Sequence, residues 1–294
     1  MEKTATPGIA WFLLILLSLI WGSSFILMFE GLKSFDAVSV ALIRMSIAAV
    51  CLTPFLVYFR KNINLKEIGL LLIIGLTGNA IPAYLFAQAE TVLPTAVVGV
   101  LNSMAPIFTL LLGFAFFQMR FPAMNIVGIV IGFVGAAMLA LAGSSEADLD
   151  TNLSYSLLVV AATLCYGIST NLIKHYFQGR NPVYVATMSL SLVGWPSLVL
   201  LLTFTDFSTI ITTDPQAPVA FGYIFILGAV GTAFGVVMFT KMLQASSIIF
   251  ATSVTYTIPV VAVFWGLLLA EELNWIHGLG FLVILLGVWL ANRK

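Results

Sequence analysis

Ten apolar runs, each close to the length that crosses a bilayer, constrain this chain more than any other feature. A spanning helix needs about 20 mostly apolar residues to cover roughly 30 Å of hydrocarbon. The runs fall at 9–29, 37–59, 68–87, 94–117, 124–141, 153–173, 183–204, 219–239, 248–269 and 275–290. They are continuous, whereas barrel strands alternate polar and apolar residues, so helices are predicted. A helix also satisfies its own backbone amides, as lipid demands. The longest connections, 142–152 and 205–218, are too short to hold a soluble domain.

Composition agrees. Hydrophobic residues make up 61% of the chain and charged residues 8%, against about 25% charged in a soluble domain. The net charge is zero, which gives no reason to expect a nucleic-acid partner. Cys51 and Cys165 lie within apolar runs, where a thiol packs as a small hydrophobe. No spacing suggests a metal site, and no cofactor is expected. Residues 1–8 carry one Glu and one Lys, and the first apolar run is longer than the roughly 7–15 residues of a signal-peptide core. It is expected to be an uncleaved first span.

The basic residues set an orientation. With loops alternating from a cytoplasmic N-terminus, the inner side holds Lys3, Arg60, Lys61, Lys66, Arg120, Lys174, Arg180, Lys241, Arg293 and Lys294. The outer side holds Lys33, and Arg44 lies within a span. This bias predicts that both termini are cytoplasmic.

The chain also repeats itself. Trp21-Gly22-Ser23-Ser24 aligns with Tyr166-Gly167-Ile168-Ser169. Gly75/Gly228, Gly78/Gly231, Phe86/Phe239, Pro106/Pro259 and Gly113/Gly266 follow at one common offset, and Gly128/Gly280 and Gly135/Gly287 at nearly the same one. Two units of five spans, residues 1–147 and 148–294, are expected. Because five is odd, the second unit must be inverted relative to the first. Inverted repeats with a solute site near the midplane are the build of many secondary transporters.

On these residues the chain resembles the drug/metabolite transporter (DMT) superfamily, and within it the EamA-type exporters. The resemblance rests on Trp21-Gly22-Ser23-Ser24-Phe25, Arg44, Ala105-Pro106-Ile107, Tyr256-Thr257-Ile258-Pro259-Val260 and Glu271-Glu272, and it covers both halves. It implies export of small metabolites, often amino acids or their relatives, from the bacterial cytoplasm across the inner membrane. Where the family commonly carries a Glu at the end of the fourth span, this chain has Gln118.

Candidate site residues follow from polar chemistry at membrane depth. Arg44 lies about 12 Å along its helix from Asp36, at 1.5 Å per residue. Arg at that depth costs about 2.5–3.5 kcal/mol, so it must face protein or water. It is either a solute-carboxylate or gating group, or a structural tie to helix carbonyls or an acid such as Glu30 or Glu271. Pro106 and Pro259 interrupt their helices and leave the carbonyls of Asn102 and Thr255 without their usual donors. Pro82 does the same to Gly78, beside Asn79. Each break lines a cavity or is a packing kink. Trp21, Ser24, Tyr84, Tyr166, Thr170, Thr232 and Tyr256 add aromatic faces and hydroxyls within spans. A substrate cavity lined by spans one, three, four, six, eight and nine is expected.

The functional reading is a secondary transporter working by alternating access, as a monomer or weak dimer in the lipid bilayer. Its solute is expected to be small, amphipathic and uncharged overall, zwitterions included. A passive channel or a membrane sensor is the alternative. An intramembrane enzyme needs a nucleophile with a base, paired carboxylates or a metal cluster, and no span carries an Asp or Glu at its middle. That same lack of a central acid predicts facilitative or exchange transport, with Glu30, Glu90 and Glu271 as the acids nearest the cavity mouth.

Overall fold

The computed structural model describes residues 7–117, 149–246, 248–252, 254–269 and 275–291, with positions 124, 127–128, 130–132, 134–135 and 138 between them. Every regular element among these residues is helical. Eight helices are long and apolar enough to cross a membrane: α1 (Trp11–Leu32), α2 (Ala37–Asn62), α3 (Leu65–Glu90), α4 (Thr95–Phe117), α5 (Asn152–Tyr176), α6 (Pro182–Phe204), α7 (Ala217–Ala245) and α8 (Phe250–Leu268). A further helix, α9 (Trp275–Ala291), contains the shorter apolar stretch Gly278–Gly287.

Helices α1–α4 occupy the first four predicted runs, α5–α8 the sixth to ninth, and α9 the tenth. The fifth run, 124–141, lies largely outside the described residues, as does Gln118. Two local features add to the predicted runs. Segment 205–218, read as a plain connection, contains a short helix, Phe207–Thr213. Helix α3 continues to Glu90, past the apolar run that defined it, so Glu90 sits on a helix and is buried.

Local chemistry starts the long helices. Asp36 Oδ1 accepts from the Ser39 N–H at 2.7 Å to open α2, and Asn181 accepts from the Val183 N–H at 2.9 Å to open α6, each supplying an acceptor to an otherwise orphan donor. Pro182 follows Asn181 in the first turn, where its missing N–H costs nothing.

Helices α2 and α6 pack against each other along most of their length. Helix α1 packs on α7 and α8, α5 packs on α3 and α4, α2 meets α7, α6 meets α3, and α4 meets α8. Exchanging α1 for α5, α2 for α6, α3 for α7 and α4 for α8 carries this set of neighbours onto itself. Glycines make the closest crossings. A side chain on Gly75 of α3 would overlap the Ser189 carbonyl of α6, and one on Gly228 of α7 would lie 2.9 Å from the Arg44 carbonyl of α2. One on Gly78 would overlap the Ser169 hydroxyl, and one on Gly231 would sit 3.3 Å from that of Ser24. The described part of the fifth run meets α9 through Gly135 and Gly287, a small-residue packing that lets the two backbones approach closely.

The outside of the bundle is apolar. Phe116, Phe204 and Trp275 are 74%, 80% and 75% exposed, a surface suited to lipid and not to water.

Candidate functional site

Both α3 and α7 loosen at mid-length. The helix widens to π-helical turns over Leu76–Ala80 and over Leu227–Phe234, a distortion that recurs at functional sites. Pro82 follows the first stretch. In the second, Thr232 Oγ1 donates to the Leu227 carbonyl at 3.2 Å. In α4 the response to proline is the opposite. The chain tightens to a 3-10 turn over Asn102–Met104, and the Asn102 carbonyl accepts from the Ala105 N–H. The Asn102 carbonyl expected to be freed by Pro106 is therefore satisfied within the turn. Hydroxyls fill in beside both prolines: Ser103 Oγ donates to the Val100 carbonyl at 2.6 Å, and Thr255 Oγ1 to that of Thr252 at 2.8 Å.

These loosened segments surround a cavity of about 120 Å³, far more than the roughly 10–15 Å³ that holds one water. Trp21, Ser24, Asn79, Asn102, Tyr166, Thr170 and Thr255 all line it, on α1, α3, α4, α5 and α8, and Gly231 and Phe239 line it from α7. Arg44 and Ser189, related by the same offset as Trp21 and Tyr166, add α2 and α6 to the wall, which the sequence reading did not include.

Aromatic side chains form two matched walls. Trp21 packs on Phe239 with ring centroids 5.2 Å apart, and Tyr166 stacks on Phe86 at 5.8 Å. The two pairs are repeat equivalents of each other, Trp21 answering to Tyr166 and Phe239 to Phe86, and each pair crosses from one half to the other. The Trp21 indole N–H donates to the Gly231 carbonyl at 2.9 Å, inside the widened stretch of α7. The ring is thus held by a backbone group that the π turn exposes.

Arg44 is half-buried, and its Nε donates to Thr232 Oγ1 at 2.7 Å. Thr232 is fully buried behind the cavity wall, with its hydroxyl shared between Arg44 and Leu227. It was expected to touch solute, and the structure makes it the support of Arg44. Among the described residues, the acid within electrostatic reach of Arg44 is Glu90, together with the Tyr166 hydroxyl. Glu30 instead pairs with Lys33 at 2.6 Å on the surface, and Glu271 lies outside the described residues.

Five other expected residues stand apart. Tyr84 is 40% exposed on the outside of the bundle, because successive residues of α3 turn Asn79 and Phe86 inward and Tyr84 away. The side chain of Tyr256 lies outside the described residues. Pro82, Pro106 and Pro259 are buried and shape the helices without lining the cavity. One polar residue was missed. Asn171 of α5 donates from Nδ2 to the carbonyls of Thr109 and Gly167, both at 2.8 Å, and ties α5 to α4.

At one end of the bundle α5 is fastened to α7. Lys174 Nζ donates to the carbonyls of Leu243 at 3.0 Å and Ser246 at 2.7 Å. Gln178 Nε2 donates to the Gln244 carbonyl and Gln244 Nε2 to the Phe177 carbonyl, both at 3.0 Å. Arg180 pairs with Glu67 beside them. Among the described residues no cluster of His, Cys, Asp and Glu has the makings of a metal site.

The comparisons with known proteins agree with this architecture. An uncharacterized transporter of Archaeoglobus fulgidus is 26% identical over 285 residues, covering 97% of this chain and 99% of its own. A probable terminal-alkyne amino-acid exporter of Streptantibioticus cattleyicolor is 26% identical over 290 residues, covering 96% and 92%. The uncharacterized inner membrane transporter YedA of Escherichia coli K12 is 27% identical over 293 residues, covering 94% and 88%. A crystal structure matches with a TM-score of 0.65 over 97% of both chains at 14% identity, which shows a shared fold. The EamA-like transporter family matches twice, over residues 8–141 and 153–293, and this multi-pass membrane protein belongs to that family.

Proposed function

We propose that the chain is a ten-helix secondary transporter, not an enzyme, that exports small amphipathic metabolites by alternating access across a bacterial inner membrane. Its two inverted units are residues 1–147 and 148–294, and both termini are cytoplasmic. The observation that carries this reading is the pair of equivalent aromatic contacts, Trp21 on Phe239 and Tyr166 on Phe86, walling one cavity from both halves. Support comes also from the neighbour pattern that survives exchange of the halves and from the double family match. The amino-acid exporter among the relatives makes amino acids and their analogues the first solutes to test.

A cavity that is mostly apolar, with hydroxyls, two asparagines and one guanidinium, suits a solute with an apolar body and no net charge. A dianionic solute needs several cations, and Arg44 is the only Lys or Arg among the lining residues. The test is export from cells. Overexpression must raise the tolerated concentration of at least one amino acid or analogue, and lower its accumulation, relative to cells carrying Trp21→Ala. A broad panel with no such solute contradicts the reading.

A further inference from the structure

Arg44 and Asn102 are two polar groups in the cavity wall whose hydrogen-bonding capacity is not used up by the protein. Every serine and threonine hydroxyl for which a bond is given above is engaged with a nearby carbonyl or with Arg44. Asn102 is different. It is 6% exposed and lines the cavity, and its Oδ1 has no hydrogen-bond donor among the described residues. A buried amide oxygen left in this way is unfavourable, and such groups in a native fold call for an explanation. Arg44 is the second case. Its Nε is fixed by Thr232, the only hydrogen-bond partner found for it among the described residues. That single bond leaves both Nη nitrogens without a hydrogen-bond acceptor among the described residues, on a side chain that lines the cavity. A guanidinium fork matches one carboxylate through two parallel bonds.

On the reading that this cavity is the solute site, we infer that Arg44 and Asn102 divide the polar recognition between them. Arg44 takes a carboxylate, and Asn102 Oδ1 takes a hydrogen-bond donor, an ammonium or a hydroxyl, on the same molecule. The apolar body then rests against Trp21 and Phe239 on one side and Tyr166 and Phe86 on the other. Thr232 is a positioning residue, acting through Arg44. The lining holds no acidic side chain, so the ammonium or hydroxyl is read by a neutral acceptor. Solutes with either donor are therefore accepted, whereas those with none are refused.

The test is calorimetric titration of the purified full-length protein in detergent with three probes that share one isobutyl body. L-leucine carries both groups, L-leucinamide lacks the carboxylate, and 4-methylpentanoate lacks the ammonium. The wild type must bind leucine about tenfold or more tightly than either of the others, the scale of a lost charge-assisted bond. Arg44→Gln must abolish the preference for leucine over leucinamide while keeping that over 4-methylpentanoate. Asn102→Leu must do the reverse, and Asn102→Asp, which keeps an acceptor, must retain binding. Arg44→Lys, which keeps the charge without the fork, must fall between wild type and Arg44→Gln and provides the reading should the glutamine variant misfold. Affinities within threefold of one another in the wild type overturn the inference. So does an equal loss of all three probes in both variants, and so does binding of none of the three. Transport of a broader metabolite panel in the face of any of these outcomes leaves the transporter reading standing and removes only the two-point recognition.

Discussion

The indole of Trp21 packs on the ring of Phe239 at 5.2 Å and donates its N–H to the Gly231 carbonyl one helical stretch away. The two contacts fasten α1 to α7, one inside the widened turns and one beyond them, and can be separated by substitution. Trp21→Phe keeps a ring against Phe239 and loses the hydrogen bond, so it is expected to cost about 1 kcal/mol. Trp21→Ala loses both and is expected to cost about 3–5 kcal/mol. Thermal or denaturant unfolding in detergent measures the difference. Equal effects of the two substitutions contradict the assignment.

The glycine crossings predict where the fold tolerates a methyl group. Gly75→Ala drives a Cβ into the Ser189 carbonyl, which is backbone and cannot turn aside. It is expected to destabilise by about 1–3 kcal/mol. Gly69, earlier in α3, has nothing within 4 Å of the same added atom. Gly69→Ala is expected to be neutral or slightly stabilising, by up to about 1 kcal/mol, since alanine favours the helix. The comparison of melting temperatures is the check.

Much of this architecture was legible in the sequence, for definite reasons. Apolar runs report the bilayer thickness directly, so eight spans and α9 follow from length alone. Repeat equivalence identified Trp21 with Tyr166 and Phe86 with Phe239, and the structure pairs them crosswise. What escaped reading lacks a one-dimensional signature. The π turns at Leu76–Ala80 and Leu227–Phe234 depend on a hydrogen-bond shift, and only the first is followed by a proline. Thr232 looked like any hydroxyl within a span until its bond to Arg44 was seen. Tyr84 was misjudged because its inward or outward facing depends on the helix phase, which a π turn resets. Glu90 was placed at a cavity mouth because the apolar run ends before it, whereas the helix carries it into contact with the core.

Asp214, in the loop before α7, supplies a pH prediction outside the membrane. The Gln216 backbone N–H donates to its Oδ1 at 2.9 Å and holds its carboxyl below the usual value. A depressed carboxyl favours the folded loop at pH above the ordinary carboxylate range, and that contribution disappears as pH falls through the lowered value. Hydrogen exchange at the Gln216 amide is therefore expected to be slow at neutral pH, relative to its intrinsic rate, and to lose this protection only in acid. Asp214→Ala is expected to remove the protection at every pH.

Exchange without a proton carrier, the coupling expected here, puts Glu90 to the test. Its position near Arg44 makes it, among the described residues, the buried acid best placed to carry a proton. Under facilitative or exchange transport, Glu90→Gln retains counterflow, and an imposed pH gradient drives no net accumulation in the wild type. Gradient-driven accumulation that Glu90→Gln abolishes while counterflow persists shows proton coupling instead.

The most direct test of the central claim is counterflow in liposomes containing the purified protein, using the solute found by the export screen. Alternating access through one cavity predicts that unlabelled solute inside accelerates entry of labelled solute several-fold, and that Trp21→Ala or Tyr166→Ala removes the acceleration. Entry at the same rate with or without internal solute is the behaviour of a passive channel and contradicts the account.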